Sequence, residues 1–195
     1  QYKCYVEEGL IDFDLIKISS SQLHFSKVMS KLQIKYIYGY GEEFMILKFL
    51  LFSRNSMLFY IEPYKEKYNT FYQLLTNENI CYEDFQDYQK RDVDYLISNN
   101  CIFINHEGYL KIKNLELVFI LGKLHYEDVI NFWHYSPEIR DEILKMEKRG
   151  MVKIDNTLFT VEERKYLNYY LNKKEFSNSL DLRNKYLHGS NSSSE

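Results

Sequence analysis

The chain has no alanine, only two prolines and seven glycines. So few glycines leave little material for a glycine-rich phosphate loop, and neither such a loop nor a serine or cysteine nucleophile motif is present. The three cysteines, Cys4, Cys81 and Cys101, are odd in number and lack C-x-x-C spacing. That argues against a disulfide framework and a zinc ribbon, and for reduced thiols in a cytoplasmic protein. The longest apolar run, Phe44 to Phe52, is interrupted by Lys48 and is much too short to span a bilayer. With no basic region followed by an apolar stretch at the start, no membrane or secretory role is expected. A net charge of −3 supplies no global attraction to nucleic acid or to an anionic membrane, so any such binding needs a local patch.

What is present is a 195-residue chain with 45% hydrophobic residues, enough to bury one sizeable core or two small ones. The 19 tyrosines and 13 phenylalanines read as core and core-rim packing. Lysine, asparagine and isoleucine are also plentiful, a bias that follows AT-rich coding sequence as readily as function. The start at Gln1 and the polar stretch Ser190 to Glu195 lead us to expect that both ends are cuts in something larger.

Leu10–Ile16 and Ile34–Tyr38 read as strands around the polar Ser19-Ser20-Ser21. Glu42 to Arg54 reads as a largely buried helix, and Pro63 as the first residue of a helix running from Tyr64 to Asn77. Glu83 to Asn99 carries Phe85, Tyr88, Val93, Leu96 and Ile97 at near-helical spacing. Cys101-Ile102-Phe103-Ile104 then turns through Asn105-His106-Glu107-Gly108 into Tyr109-Leu110-Lys111-Ile112. A second copy follows, with a helix over Pro137–Arg149, Gly150 as its cap, Met151–Ile154 as a strand, and a turn through Asp155-Asn156 into Thr157–Val161. The copies superpose with Ile104 on Ile154. Leu115–Leu121 and Tyr126–His134 read as the early helices of the second copy.

Helices followed by a two-stranded wing are the order of the winged helix, which the chain resembles twice over residues 64–161. The expected fold class is therefore α+β and mostly helical, with two winged-helix-like units and a C-terminal helix. The expected divisions are an N-terminal α/β segment over 1–62, the first unit over 63–113, the second over 114–161, and C-terminal helices over 162–195. A winged helix that reads DNA needs a basic third helix and a basic wing. Here the helix before the first wing carries Glu83, Asp84, Asp87, Asp92 and Asp94 against Lys90 and Arg91. The helix before the second carries Glu138, Asp141, Glu142 and Glu147 against Arg140, Lys145, Lys148 and Arg149. Docking of another protein is the first expectation for these units, with Lys111, Lys113 and Lys153 as the wing residues that would touch a nucleic-acid backbone.

No metal site is expected, because His125 and His134 do not share a helical face and His106-Glu107 is an ordinary turn pair. Glu162–Asn172 reads as a helix, and Ser177 or Ser179 as the cap of a last one over Leu180–His188. That last stretch contains Leu182-Arg183-Asn184-Lys185-Tyr186-Leu187-His188-Gly189. The order Arg-Asn, three residues, His-Gly resembles the signature of HEPN-type proteins, helical metal-independent ribonucleases and inactive relatives found in bacterial toxin and antiphage-defence systems. The resemblance covers about eight residues. It implies that His188 moves a proton at the ribose 2′-hydroxyl or the leaving oxygen, that Arg183 stabilises phosphate charge, and that Asn184 supports the site. It further implies RNA as a partner, no cofactor, and a homodimer or larger assembly that lines one cleft with two such helices. Imidazole and guanidinium suit that chemistry. The same residues have another reading, in which Arg183, Lys185 and His188 complement a helix dipole and Gly189 caps it.

Overall fold

The computed structural model describes residues 28–171, 176–180 and 182. It divides into two compact units, one formed by residues 32–156 and the other by 1–31 with 157–195.

The larger unit runs β1 (Tyr36–Gly39), α1 (Gly41–Phe52), α2 (Phe71–Asn77), α3 (Asp87–Ser98), β2 (Ile102–Ile104), β3 (Leu110–Ile112), α4 (Leu115–Tyr126), β4 (Val129–Asn131), α5 (Pro137–Lys148) and β5 (Val152–Asp155). The protein is thus α+β and mostly helical, with small antiparallel sheets.

Residues 80–104 and 130–154 repeat one another. Each begins on a buried isoleucine, Ile80 or Ile130, and passes through a short 3-10 turn, Tyr82–Asp84 or Phe132–His134, into a long helix, α3 or α5. Each leaves that helix through a residue at positive φ, Asn100 at 59° or Gly150 at 74°, and enters a strand, β2 or β5. The apolar positions agree too. Val93, Leu96, Cys101 and Ile102 in the first repeat, and Ile143, Met146, Met151 and Val152 in the second, are all buried in one continuous core. Burial of each of the larger side chains stabilises the fold by roughly 1.5–3 kcal/mol.

The first wing forms as expected. β2 and β3 pair antiparallel with Ile102 opposite Ile112 and Ile104 opposite Leu110. The Asn105 carboxamide oxygen accepts from the backbone N–H groups of Glu107 (3.0 Å) and Tyr109 (2.8 Å), while Gly108 supplies φ +86°.

The second wing does not form as a hairpin. β5 pairs with β1, Ile37 facing Ile154 and Gly39 facing Val152, and β4 pairs with the other edge of β1. β1 therefore stands to β5 as β3 stands to β2, although it comes from far upstream. Thr157–Val161 turns elsewhere for a local reason. Thr160 is a helix cap, its hydroxyl oxygen accepting from the Glu163 N–H (3.1 Å) and its own N–H donating to the Glu163 carboxylate (2.8 Å).

Two other expectations are corrected. Tyr126–His134 is not one helix: α4 ends at Tyr126, Asp128 adopts φ +58° before β4, and only Phe132–His134 takes a 3-10 turn. Pro63 does not open a helix: it follows a cis peptide bond within a run of turns, and α2 begins only after Thr70, whose hydroxyl accepts from the Gln73 N–H at 3.3 Å. α1 needs glycine at its first residue. Gly41 has φ +79°, and a Cβ there would lie 2.4 Å from the Gly150 carbonyl oxygen.

In the smaller unit Met29 bridges Thr157, and α6 (Val161–Leu171) follows from the Thr160 cap, close to the expected helix. Tyr169 on α6 packs its ring edge-on against Phe176 at 5.9 Å.

Candidate docking surface

α4 is held at its start by Asn114. The side-chain oxygen of that residue accepts from the Leu117 N–H (2.9 Å), and its amide nitrogen donates to Glu142 on α5 (3.0 Å). Leu117, Val118, Ile120, Leu121 and Leu124 then face the core. The opposite face is also apolar at Leu115 and Phe119, which are 66% and 41% exposed. Phe119 packs edge-on against Tyr135 at 5.8 Å. Leu115, Phe119 and Ile139, with Ser136, line a groove of about 260 Å³ between α4 and α5, whose rims are Glu116 and Glu138.

The same two glutamates also line a larger polar cleft of about 650 Å³, which takes in Asp141 and Glu142 as well. Its cations are engaged within the chain. Lys113 donates to the Asn100 side-chain oxygen (2.7 Å), Lys145 contacts Asp141 (2.8 Å) and Glu142 (3.4 Å), and Arg149 pairs with Glu43 and reaches Asn99 (3.3 Å). The hydrogen bond to Asp141 holds the Lys145 ammonium above its usual range. Neither Glu116 nor Glu138 forms an ion pair among the described residues. Hydrogen bonding to Ser136 is the main reason that the Glu138 carboxyl titrates below its usual range. The local balance is thus acidic.

Trp133, three residues before Ser136, is 50% exposed, with its indole N–H fixed on the Ile34 carbonyl (2.7 Å) and the Arg140 guanidinium 5.1 Å from its ring centre. These aromatic residues were not singled out by the sequence reading. The available signal was a pair of large apolar residues, Leu115 and Phe119, four apart and directly behind a capping asparagine.

The wing lysines are not gathered. Lys111 donates to Asn79 (2.6 Å) and Lys113 to Asn100, while Lys153 lies exposed on β5, in a different sheet from Lys111. On α3, Lys90 pairs with Glu83 (2.9 Å), leaving Asp87, Asp92 and Arg91 exposed beside Tyr88. Arg183, Asn184 and His188 lie outside the described residues. Among those residues, no cluster of three His, Cys, Asp or Glu side chains is placed to hold a metal ion. His125, on α4, stacks on Phe52 at 5.8 Å, and burial, then Lys48, lowers its pKa. No helix among the described residues is long and apolar enough to cross a membrane.

No protein-family model matches the chain, and comparison with curated proteins and with solved structures finds no match either.

Proposed function

We propose that the larger unit is a non-catalytic protein-docking module built on two winged-helix-like repeats. The observation that carries this reading is the state of the charges. The helix of each repeat that would enter a DNA groove is acidic or internally neutralised, and the wing lysines Lys111 and Lys153 stand in different sheets rather than in one basic patch. Phosphate recognition needs free cations whose counterions are released on binding. Protein docking needs exposed apolar and aromatic area with a polar rim, which Leu115, Phe119 and Trp133 with Glu116 and Glu138 provide.

A salt titration against a short random DNA duplex tests the reading. Binding weaker than about 10 µM at physiological salt is expected. Sub-micromolar binding with a steep salt slope would overturn it.

A second reading concerns the C-terminal stretch and rests on the order Arg183-Asn184, three residues, His188. On this reading the chain, or a longer one containing it, cleaves RNA by attack of the 2′-hydroxyl on the adjacent phosphodiester, leaving a cyclic phosphate, with His188 moving the proton and Arg183 stabilising the phosphorane oxygens. Cleavage of a mixed RNA pool in excess chelator, lost in both His188→Ala and Arg183→Ala, is the expected result. Cleavage that survives both substitutions sinks it.

A further inference from the structure

The repeat makes the groove between α4 and α5 interpretable, because the corresponding place in the first repeat is already filled. The position matching Ile139 is Gln89, which is 1% exposed and donates from its amide nitrogen to the Met57 carbonyl (2.6 Å). The 3-10 turn Met57–Phe59 packs there on both α2 and α3, with Leu58 fully buried. In the second repeat no described segment takes that place, and Leu115, Phe119 and Ile139 line an open groove. The first repeat thus shows the kind of occupant the geometry accepts: a short turn or helical segment that inserts one large apolar side chain.

The surroundings decide what flanks that anchor. Glu116 and Glu138 stand on the rims without an ion pair among the described residues, and Asp141 and Glu142 continue the negative surface into the adjoining cleft. Lys145 and Arg149 already have carboxylate partners in the chain and would not attract an anionic ligand strongly. An apolar floor with carboxylate rims complements a leucine or phenylalanine next to lysine or arginine, and disfavours the same anchor next to aspartate or glutamate. From this geometry we infer that the α4–α5 groove docks a partner protein through a short basic segment carrying a single bulky apolar anchor. The inference rests on the docking reading above and gives it a place and a partner chemistry.

The test uses the full chain and three fluorescein-labelled synthetic peptides: a short lysine-rich peptide with a central Leu-Phe pair, the same peptide with the pair replaced by serines, and the same peptide with its lysines replaced by glutamates. In fluorescence anisotropy the first peptide is expected to bind, and the other two to bind at least about tenfold more weakly. Leu115→Ser and Phe119→Ser should each weaken the first peptide by about fivefold or more, and combined Glu116→Gln and Glu138→Gln should flatten its salt dependence. Tyr88→Ser, at an exposed site on α3, should leave it unchanged. Both groove residues are exposed enough for the variants to fold, which circular dichroism verifies.

Binding that ignores the Leu-Phe pair or both groove substitutions overturns the inference, as does no binding of the first peptide up to about 1 mM. Binding lost in Tyr88→Ser but kept in both groove variants also overturns it, while leaving the docking reading intact at a different surface. The docking reading itself falls on the DNA titration, so the two failures are separable.

Discussion

Asn114 and Glu142 are joined by a 3.0 Å hydrogen bond that ties the cap of α4 to the buried face of α5. One carboxamide therefore does two jobs, since its oxygen also caps the Leu117 N–H. Asn114→Ala should lower stability by about 1–3 kcal/mol, combining the lost cap with a lost partner for a buried carboxylate. Asn114→Ser restores a cap acceptor without the reach to Glu142. Thermal or urea unfolding of both variants separates the contributions, and Ser is expected to recover only part of the loss.

Gly41→Ala should destabilise by about 1–3 kcal/mol, because a Cβ at that positive φ meets the Gly150 carbonyl oxygen. Gly150→Asn should be much milder, because asparagine stands at the equivalent Asn100 and nothing lies within 4 Å of a Cβ at Gly150. Gly150→Val, β-branched at the same positive φ, should be the worst of the three. Unfolding midpoints rank them.

Burial pushes the Cys101 thiol up to about 12, from an ordinary value of 9.0. The native state thus holds its proton where the unfolded state has released it, so stability is complete below about pH 9 and declines as pH rises from there toward 12. Cys101→Ala should show a shallower alkaline decline than the wild type, whatever cost its smaller side chain adds at neutral pH. Alkylation at pH 8 followed by mass spectrometry should modify Cys81, which is partly exposed, well before Cys101.

Replacing Lys111, Lys113 and Lys153 together by alanine should change duplex DNA binding by less than about threefold, since Lys111 and Lys153 lie in different sheets and the helices beside the wings are acidic or neutralised. Loss of a large part of the salt slope in the triple variant would instead restore the wings as a nucleic-acid surface.

Local signals carried much of this fold and stopped where pairing became long-range. The first wing was legible because its two strands are contiguous and Asn105 and Gly108 announce the turn between them. The second was misread because Met151–Ile154 looks like the first arm of a hairpin whether its partner follows or lies upstream. The Thr160 and Glu163 pair is a capping box, legible in the sequence, that starts the expected helix and so ends at Thr160 the strand that was expected to run to Val161. Asp128 likewise ended α4 by backbone conformation rather than by any break in apolar spacing. The charge pattern of α3 and α5 was legible outright. The α4–α5 groove was not, because it exists only once Leu115, Phe119 and Ile139 are brought together from two helices.

The position of β1 between β4 and β5 orders events in time as well as in space. The first repeat can close on itself as soon as its own wing has emerged from the ribosome, since the backbone pairing of that wing is made within its hairpin and to Ile80 and Cys81, which precede it. The second cannot, since Ile37 must wait for Ile130 and Ile154 to be synthesised before it has either neighbour. Until then β1 offers two unpaired edges to solvent, the arrangement most open to pairing with another chain. Nascent chains are therefore most vulnerable to aggregation through Tyr36–Gly39, and the three-stranded sheet is the last part of the larger unit to be secured.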